Sequence, residues 1–135
     1  MARLLATSGY DSIVTMDLHA DQIVGSFDPN IIQIEHLHSS ALLINYMKKL
    51  IETGEVNQEK LKVAGPDAGA AKVAEYYAKS LKSGLIYAYK NRSYEVTNHI
   101  DKIEVLGEVK DADVILIDDQ VKTAGTLYNI IVEIL

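Results

Sequence analysis

Two hydrophobic periods alternate along this chain, and that alternation restricts the folds open to it more than any single residue does. Residues 12–17 are short, apolar and β-branched, and they end on the carboxylate of Asp17. Residues 39–51 put Leu43, Met47, Leu50 and Ile51 on one face at helical spacing. Residues 61–65 form a second short strand, halted by Gly65-Pro66-Asp67. A second helix is expected over 68–82, with Ala70, Val73, Tyr77 and Leu81 inward and Lys72, Glu75, Lys79 and Lys82 in water. Residues 85–89 are a third strand, and 103–107 a fourth at an edge or antiparallel. Residues 114–117 are a fully apolar strand running into Asp118-Asp119, and 123–135 a last helix with Leu127, Ile130, Ile131 and Ile134 inward. Such alternation implies βαβ units, hence an α/β fold with a mainly parallel sheet and helices on both faces.

Composition removes several classes. The 135 residues suit one domain, 1–135. A formal charge of −6 argues against a nucleic-acid-binding surface. The chain has 0 cysteines, so disulfides, zinc–thiolate sites and thiol nucleophiles are excluded. No apolar run approaches the ~20 residues that cross a bilayer. The first residues are too short and polar for a signal peptide. The expectation is a cytoplasmic protein without a membrane partner.

Ligands of parallel sheets bind at the carboxyl ends of the strands. Here those ends carry Asp17-Leu18-His19, Pro66-Asp67-Ala68-Gly69, Lys90-Asn91-Arg92 and Asp118-Asp119, all expected on one rim. After Asp119 comes a short loop with Thr123, Ala124, Gly125 and Thr126 that opens onto a helix. Helix N-termini bind phosphate through free N–H groups and the macrodipole. The plain alternative for that loop is an acidic turn with a threonine cap. Asp67 is a magnesium ligand in one reading and a helix cap in the other. Lys90 and Arg92 suit a polyphosphate transition state, or form a solvated basic loop. His19 is a ligand or an ordinary polar residue. His36, His38 and His99 read as plain residues without metal-site spacing, the first two in a loop.

Taken in order, these motifs resemble the ribose-phosphate pyrophosphokinases (phosphoribosyl pyrophosphate synthetases). Asp17-Leu18-His19-Ala20, with Gly25 and Phe27-Asp28 following, is similar to the family's Asp-Leu-His-Ala segment. Pro66-Asp67-Ala68-Gly69 resembles its Ser-Pro-Asp-Ala-Gly-Gly turn, and Lys90-Asn91-Arg92 its catalytic Lys-x-Arg. Leu106-Gly107-Glu108-Val109-Lys110 resembles its Gly-Asp-Val-Lys stretch, and residues 117–126 its ribose-phosphate loop. The resemblance implies a type I phosphoribosyltransferase-like fold, truncated relative to a two-domain family. It implies transfer of the diphosphoryl group of Mg-ATP to ribose 5-phosphate, giving phosphoribosyl pyrophosphate and AMP. By the same resemblance, His19 and Asp67 bind Mg2+, and Lys90 with Arg92 is catalytic. Asp118 and Asp119 hold the ribose hydroxyls, and Lys122, Thr123, Ala124, Gly125 and Thr126 cradle its phosphate. The family forms homo-oligomers, so a dimer or hexamer is implied.

Three departures bear on this. Lys122 stands where the family loop has an acid, Ala70 replaces a glycine, and Val73 a basic residue. The chain also resembles only the family's middle, which leaves a fragment, a split relative and a reduced relative as readings. Two other functions compete. One is a non-catalytic relative that binds phosphoribosyl ligands or a catalytic partner. The other is a phosphoribosyltransferase that consumes phosphoribosyl pyrophosphate, against which the Asp17-Leu18-His19-Ala20 and Lys90-x-Arg92 motifs speak.

Overall fold

The computed structural model describes residues 1–67, 69–91, 102–121 and 123–135, and for residues 90, 91, 102 and 103 only the course of the backbone. Contacts divide the chain into two compact units, Met1–Leu42 and Leu43–Leu135.

The first unit contains α1 (Ala2–Thr7), β1 (Ser12–Met16), a 3-10 turn (Asp21–Ser26) and β2 (Gln33–Leu37). β1 and β2 pair in parallel, from Ser12 opposite Gln33 to Met16 opposite Leu37. Two expectations are corrected here. β1 belongs to this separate two-stranded sheet, not to the sheet that holds the other strands. His36 lies in β2, not in a loop, while His38 follows the strand. The reason is visible in the burial pattern. Gln33, Glu35 and Leu37 are exposed, and only Ile34 and His36 turn inward. A histidine occupies one of two inward positions, so the period-two apolar pattern that marks a strand is missing.

The second unit has a four-stranded sheet in the order β5-β4-β3-β6. Its strands are β3 (Leu61–Gly65), β4 (Gly84–Asn91), β5 (Lys102–Leu106) and β6 (Asp113–Leu116). β3 pairs in parallel with β4 and β6, and β5 lies antiparallel on β4 at the edge. The mainly parallel sheet and the antiparallel edge strand are as expected. The β3–β4 pairing ends at Gly65 opposite Tyr87, whereas β4–β5 pairing runs on from Tyr87 to Asn91.

Helices cover both faces. α2 (Ser40–Glu52) and α3 (Ala71–Leu81) contribute Ile44, Ala74, Tyr77, Ala78 and Leu81 to a core with Leu61 and Val63. α4 (Gly125–Ile134) places Ile130 against Ala88, with Val105 and Leu116 packed beside them. Side chains alternate across a strand, so Ile115 and Ile117 join the first cluster and Leu116 the second.

Tyr77 and Leu81 of α3 face inward as expected, but Ala74 and Ala78 stand where Ala70 and Val73 were expected to be buried. Ala74, Tyr77, Ala78 and Leu81 are buried, and Val73 is 46% exposed. Those four keep the i, i+3, i+4, i+7 spacing, one position on from Val73 and Ala70. Two alanines let the helix axis come close to the sheet, which favours small size over apolar bulk at those positions. The helix also begins at Ala71 rather than 68. A related shift puts Ile131 44% exposed beside fully buried Ile130 in α4, and Leu43 46% exposed beside buried Ile44 in α2. Among the described residues no helix is long and apolar enough to cross a membrane.

Candidate functional site

β3, β4 and β6 run parallel, so their carboxyl ends share one rim of the sheet. Ile117 N–H donates to the Ala64 carbonyl (2.9 Å), which carries the β6 alignment one residue past the strand. Asp67, Lys90 and Asp118 follow or end these three strands, and the 118–126 loop leads from the rim to α4. His19 lies beyond β1 in the Met1–Leu42 unit and ends a different sheet. Arg92 and Lys122 lie outside the described residues, as does Ala68, and Lys90 is placed by its backbone alone.

At the end of β3 the chain turns back sharply. A Cβ on Gly65 would sit 3.1 Å from the Ala70 carbonyl carbon and oxygen, so glycine makes the close approach of Ala70 possible. The Ala70 N–H donates to Asp67 Oδ1 at 3.0 Å. Asp67 thus braces the turn before α3, the capping role in modified form, while its exposed carboxylate remains at the rim.

At the end of β6 two carboxylates lie side by side. The Asp119 N–H donates to Asp118 Oδ1 at 2.9 Å. Partial burial, followed by a side-chain hydrogen bond with Asp119, pushes the Asp118 carboxyl above the usual carboxylate range. An adjacent acid pair can accept hydrogen bonds from hydroxyl donors or draw a cation. A ribose diol offers two such donors.

Beyond the pair, the backbone reverses at Ala124, whose φ of 56° lies in the left-handed region. The sequence points to Gly125 as the permissive residue, but the unusual conformation falls on the alanine before it. The Gly125 N–H reaches Thr123 Oγ1 only at 3.5 Å, so no strong side-chain cap closes α4. The first N–H groups of a helix have no partner within it. Here they open outward beside the exposed Thr123 and Thr126, an arrangement able to hold an anion.

Two arrangements had no signal in the motifs. One is the ring of His36, to which Leu18 N–H donates at 3.0 Å. The other spans β4 and β5, where the Tyr89 hydroxyl donates to Glu104 beside Lys90. Cross-strand pairing cannot be read before register is known, and register here depends on β5 being antiparallel.

The hydrogen bond to Glu104, then desolvation, holds the Tyr89 phenol above its ordinary range. A phenol with a raised pKa in the folded state stabilises the fold below about pH 10, and that contribution is lost as pH rises through the folded value. Tyr89 is therefore expected to ionise above the ordinary phenol range in an ultraviolet alkaline titration. Glu104→Ala should bring it back into that range, and an unchanged titration curve would show that the pair does not form.

The comparisons with known proteins decide the family. Residues 32–134 match the phosphoribosyl transferase domain. The chain belongs to the phosphoribosyl transferase domain family. Within it, the chain is 40% identical over 127 residues to a protein named ribose-phosphate pyrophosphokinase from Porphyromonas gingivalis, covering 94% of this chain and 37% of that one. It is also 40% identical over 129 residues to one of the same name from Chlorobaculum tepidum, covering 96% and 37%. The crystal structure of phosphoribosylpyrophosphate synthetase from Mycobacterium smegmatis superposes with a TM-score of 0.78 at 35% identity, over 98% of this chain and 39% of that chain. The resemblance carried by the motifs is borne out, and with it the type I phosphoribosyltransferase fold. The chain spans about 37% of the length of the curated relatives it matches.

Proposed function

We propose that this phosphoribosyltransferase-family chain acts as a ribose-phosphate diphosphokinase, with its ribose 5-phosphate site at the sheet rim. The reaction moves a diphosphoryl group from Mg-ATP to the 1-hydroxyl of ribose 5-phosphate and releases AMP. One observation carries the reading: the parallel ends of β3, β4 and β6 bring Asp67, the Lys90 backbone and the Asp118-Asp119 pair to a single rim beside the α4 N-terminus. We read residues 1–135 as one partial phosphoribosyltransferase-like domain, supported by a family match that runs across the boundary at 42/43.

The residues then divide the work. Asp118 and Asp119 accept hydrogen bonds from the ribose hydroxyls and orient the 1-hydroxyl. Thr123, Ala124, Gly125 and Thr126, with Lys122, hold the 5-phosphate at the helix end. Lys90, with Arg92 beside it, offsets charge developing on the transferring phosphates, where positioning and electrostatics supply most of the rate.

Asp67 offers the carboxylate oxygen that Mg2+ favours, and Mg2+ sites near nucleotides commonly take one or two protein carboxylates with phosphates and waters. Among the described residues there is no cluster of three or more His, Asp or Glu that could hold a metal ion. By family likeness Asp67 is proposed as a ligand of the ion, which when bound supplies charge neutralisation for the phosphates, and His19 as a metal-binding residue of its own unit. ATP, a cytoplasmic location and a homo-oligomer, dimer or hexamer, complete the proposal by family likeness.

The test is a coupled assay for AMP release from ATP and ribose 5-phosphate. Turnover is expected, reduced about 10²-fold or more in Lys90→Ala. Ribose 5-phosphate binding by calorimetry without any AMP release would favour a non-catalytic relative, a reading that Lys122 in place of an acid also favours. Absence of both turnover and binding would refute the assignment.

A further inference from the structure

The turn that carries His19 is tied to β2 at successive residues. The Asp17 N–H donates to the Leu37 carbonyl at 3.0 Å, and Asp17 Oδ1 accepts the Ser39 N–H at 3.0 Å. The Leu18 N–H then donates to Nε2 of His36 at 3.0 Å. That ring is 11% exposed, and its Nδ1 lies 3.4 Å from Asp21 Oδ1. A nitrogen that accepts a hydrogen bond bears no proton, so the ring hydrogen sits on Nδ1 facing Asp21. Each nitrogen thus has one neighbour suited to it. The ring of His38 packs alongside, with centroids 4.4 Å apart.

The arrangement works against the backbone's own preference. Asp17 has a φ of 49°, in the left-handed region that a residue with a Cβ enters only at a cost. Such a turn persists only where its surroundings over-determine it. The Leu18 amide is the last of these ties before His19, and its acceptor is a side chain that can be changed without altering the ladder.

We propose that His36 is a positioning residue: its Nε2 fixes the turn that presents His19. The functional weight of this rests on the reading of His19 as a metal-binding residue, whereas the placement of the turn does not.

The two are separated by measuring both on the full chain, with Mn2+ as the probe. Hydrogen exchange at the Leu18 amide reports the turn, and Mn2+ broadening of the His19 ring signals reports the metal. His36→Leu is expected to lower Leu18 protection about tenfold and Mn2+ affinity about tenfold, as for groups that orient a ligand. His36→Gln, whose side-chain oxygen can accept the same N–H, is expected to restore most of both. Unchanged Leu18 protection in His36→Leu overturns the proposal. So does equal loss in the glutamine variant, which would make ring packing, not the acceptor, the cause. Should His36→Leu unfold the unit, as loss of protection at Asp17 would reveal, the glutamine variant alone decides: retained protection supports the proposal and lost protection overturns it. Failure of Mn2+ to reach His19 in the unaltered chain removes the metal reading, and the Leu18 amide still decides the place of His36.

Discussion

Ile130→Ala is expected to destabilise the unit formed by residues 43–135 by about 2–5 kcal/mol, the range for truncating a fully buried isoleucine. Ile130 is 0% exposed and packs against Ala88, with Val105, Leu116 and Ile134 around it. Its neighbour Ala88 is small, so no large buried side chain stands ready to fill the vacated space. The damage should reach the rim as well. α4 begins at Gly125, directly after the loop proposed to hold the 5-phosphate, and Ile130 anchors that helix to the sheet. Urea unfolding followed by circular dichroism measures the loss. Ile131→Ala is the control, since Ile131 is 44% exposed and its truncation should cost well under half as much. Equal effects at the two positions would show that the face of α4 has been assigned incorrectly.

Asp118→Asn is expected to move stability and binding in opposite directions. In the folded chain partial burial and the neighbouring Asp119 raise the Asp118 pKa above its unfolded value. For a raised carboxyl the sign is unusual. The folded state holds its proton more tightly, so this group's stabilising share is complete below the unfolded value of about 3.9 and declines as pH rises through the folded value. At neutral pH its charge is therefore a liability. Asparagine keeps an oxygen for the Asp119 N–H and adds an amide hydrogen that Asp119 can accept. The variant should be more stable at pH 7, with a smaller gap from the unaltered chain at pH 4. It should also bind ribose 5-phosphate about 10- to 100-fold more weakly, the size of a lost hydrogen bond to a charged acceptor. Thermal unfolding at the two pH values and calorimetry measure both effects. A stability gain without an affinity loss would place the ribose elsewhere.

The strands of the larger unit were legible because their apolar runs are short and stopped by turn-forming or charged residues. Leu61–Gly65 has the same limits in sequence and structure. Sheet direction followed from alternation, and β5, expected at an edge or antiparallel, lies antiparallel on β4. β2 was hidden for a physical reason. It turns one isoleucine and one histidine inward, so burial there rests on a hydrogen-bonded ring rather than on hydrocarbon. Helix faces were misread where alanine decides the packing, as with Ala74 and Ala78 in α3, because hydrophobic pattern rewards bulk and a close crossing rewards its absence. At the site, residue types near the rim were readable from strand ends. The Asp67–Ala70 brace and the left-handed Ala124 were not, because they arise from how the turns close.

β4 has a consequence of its own. Its first half is zipped to β3, but beyond Tyr87 it is paired, among the described residues, with β5 alone. Lys90 therefore stands on a tail laddered on one side. Its backbone ladder there is a five-residue edge ribbon, and the stretch is fastened to the core where buried Ala88 meets Ile130 of α4, so whatever loosens α4 also loosens the support of Lys90.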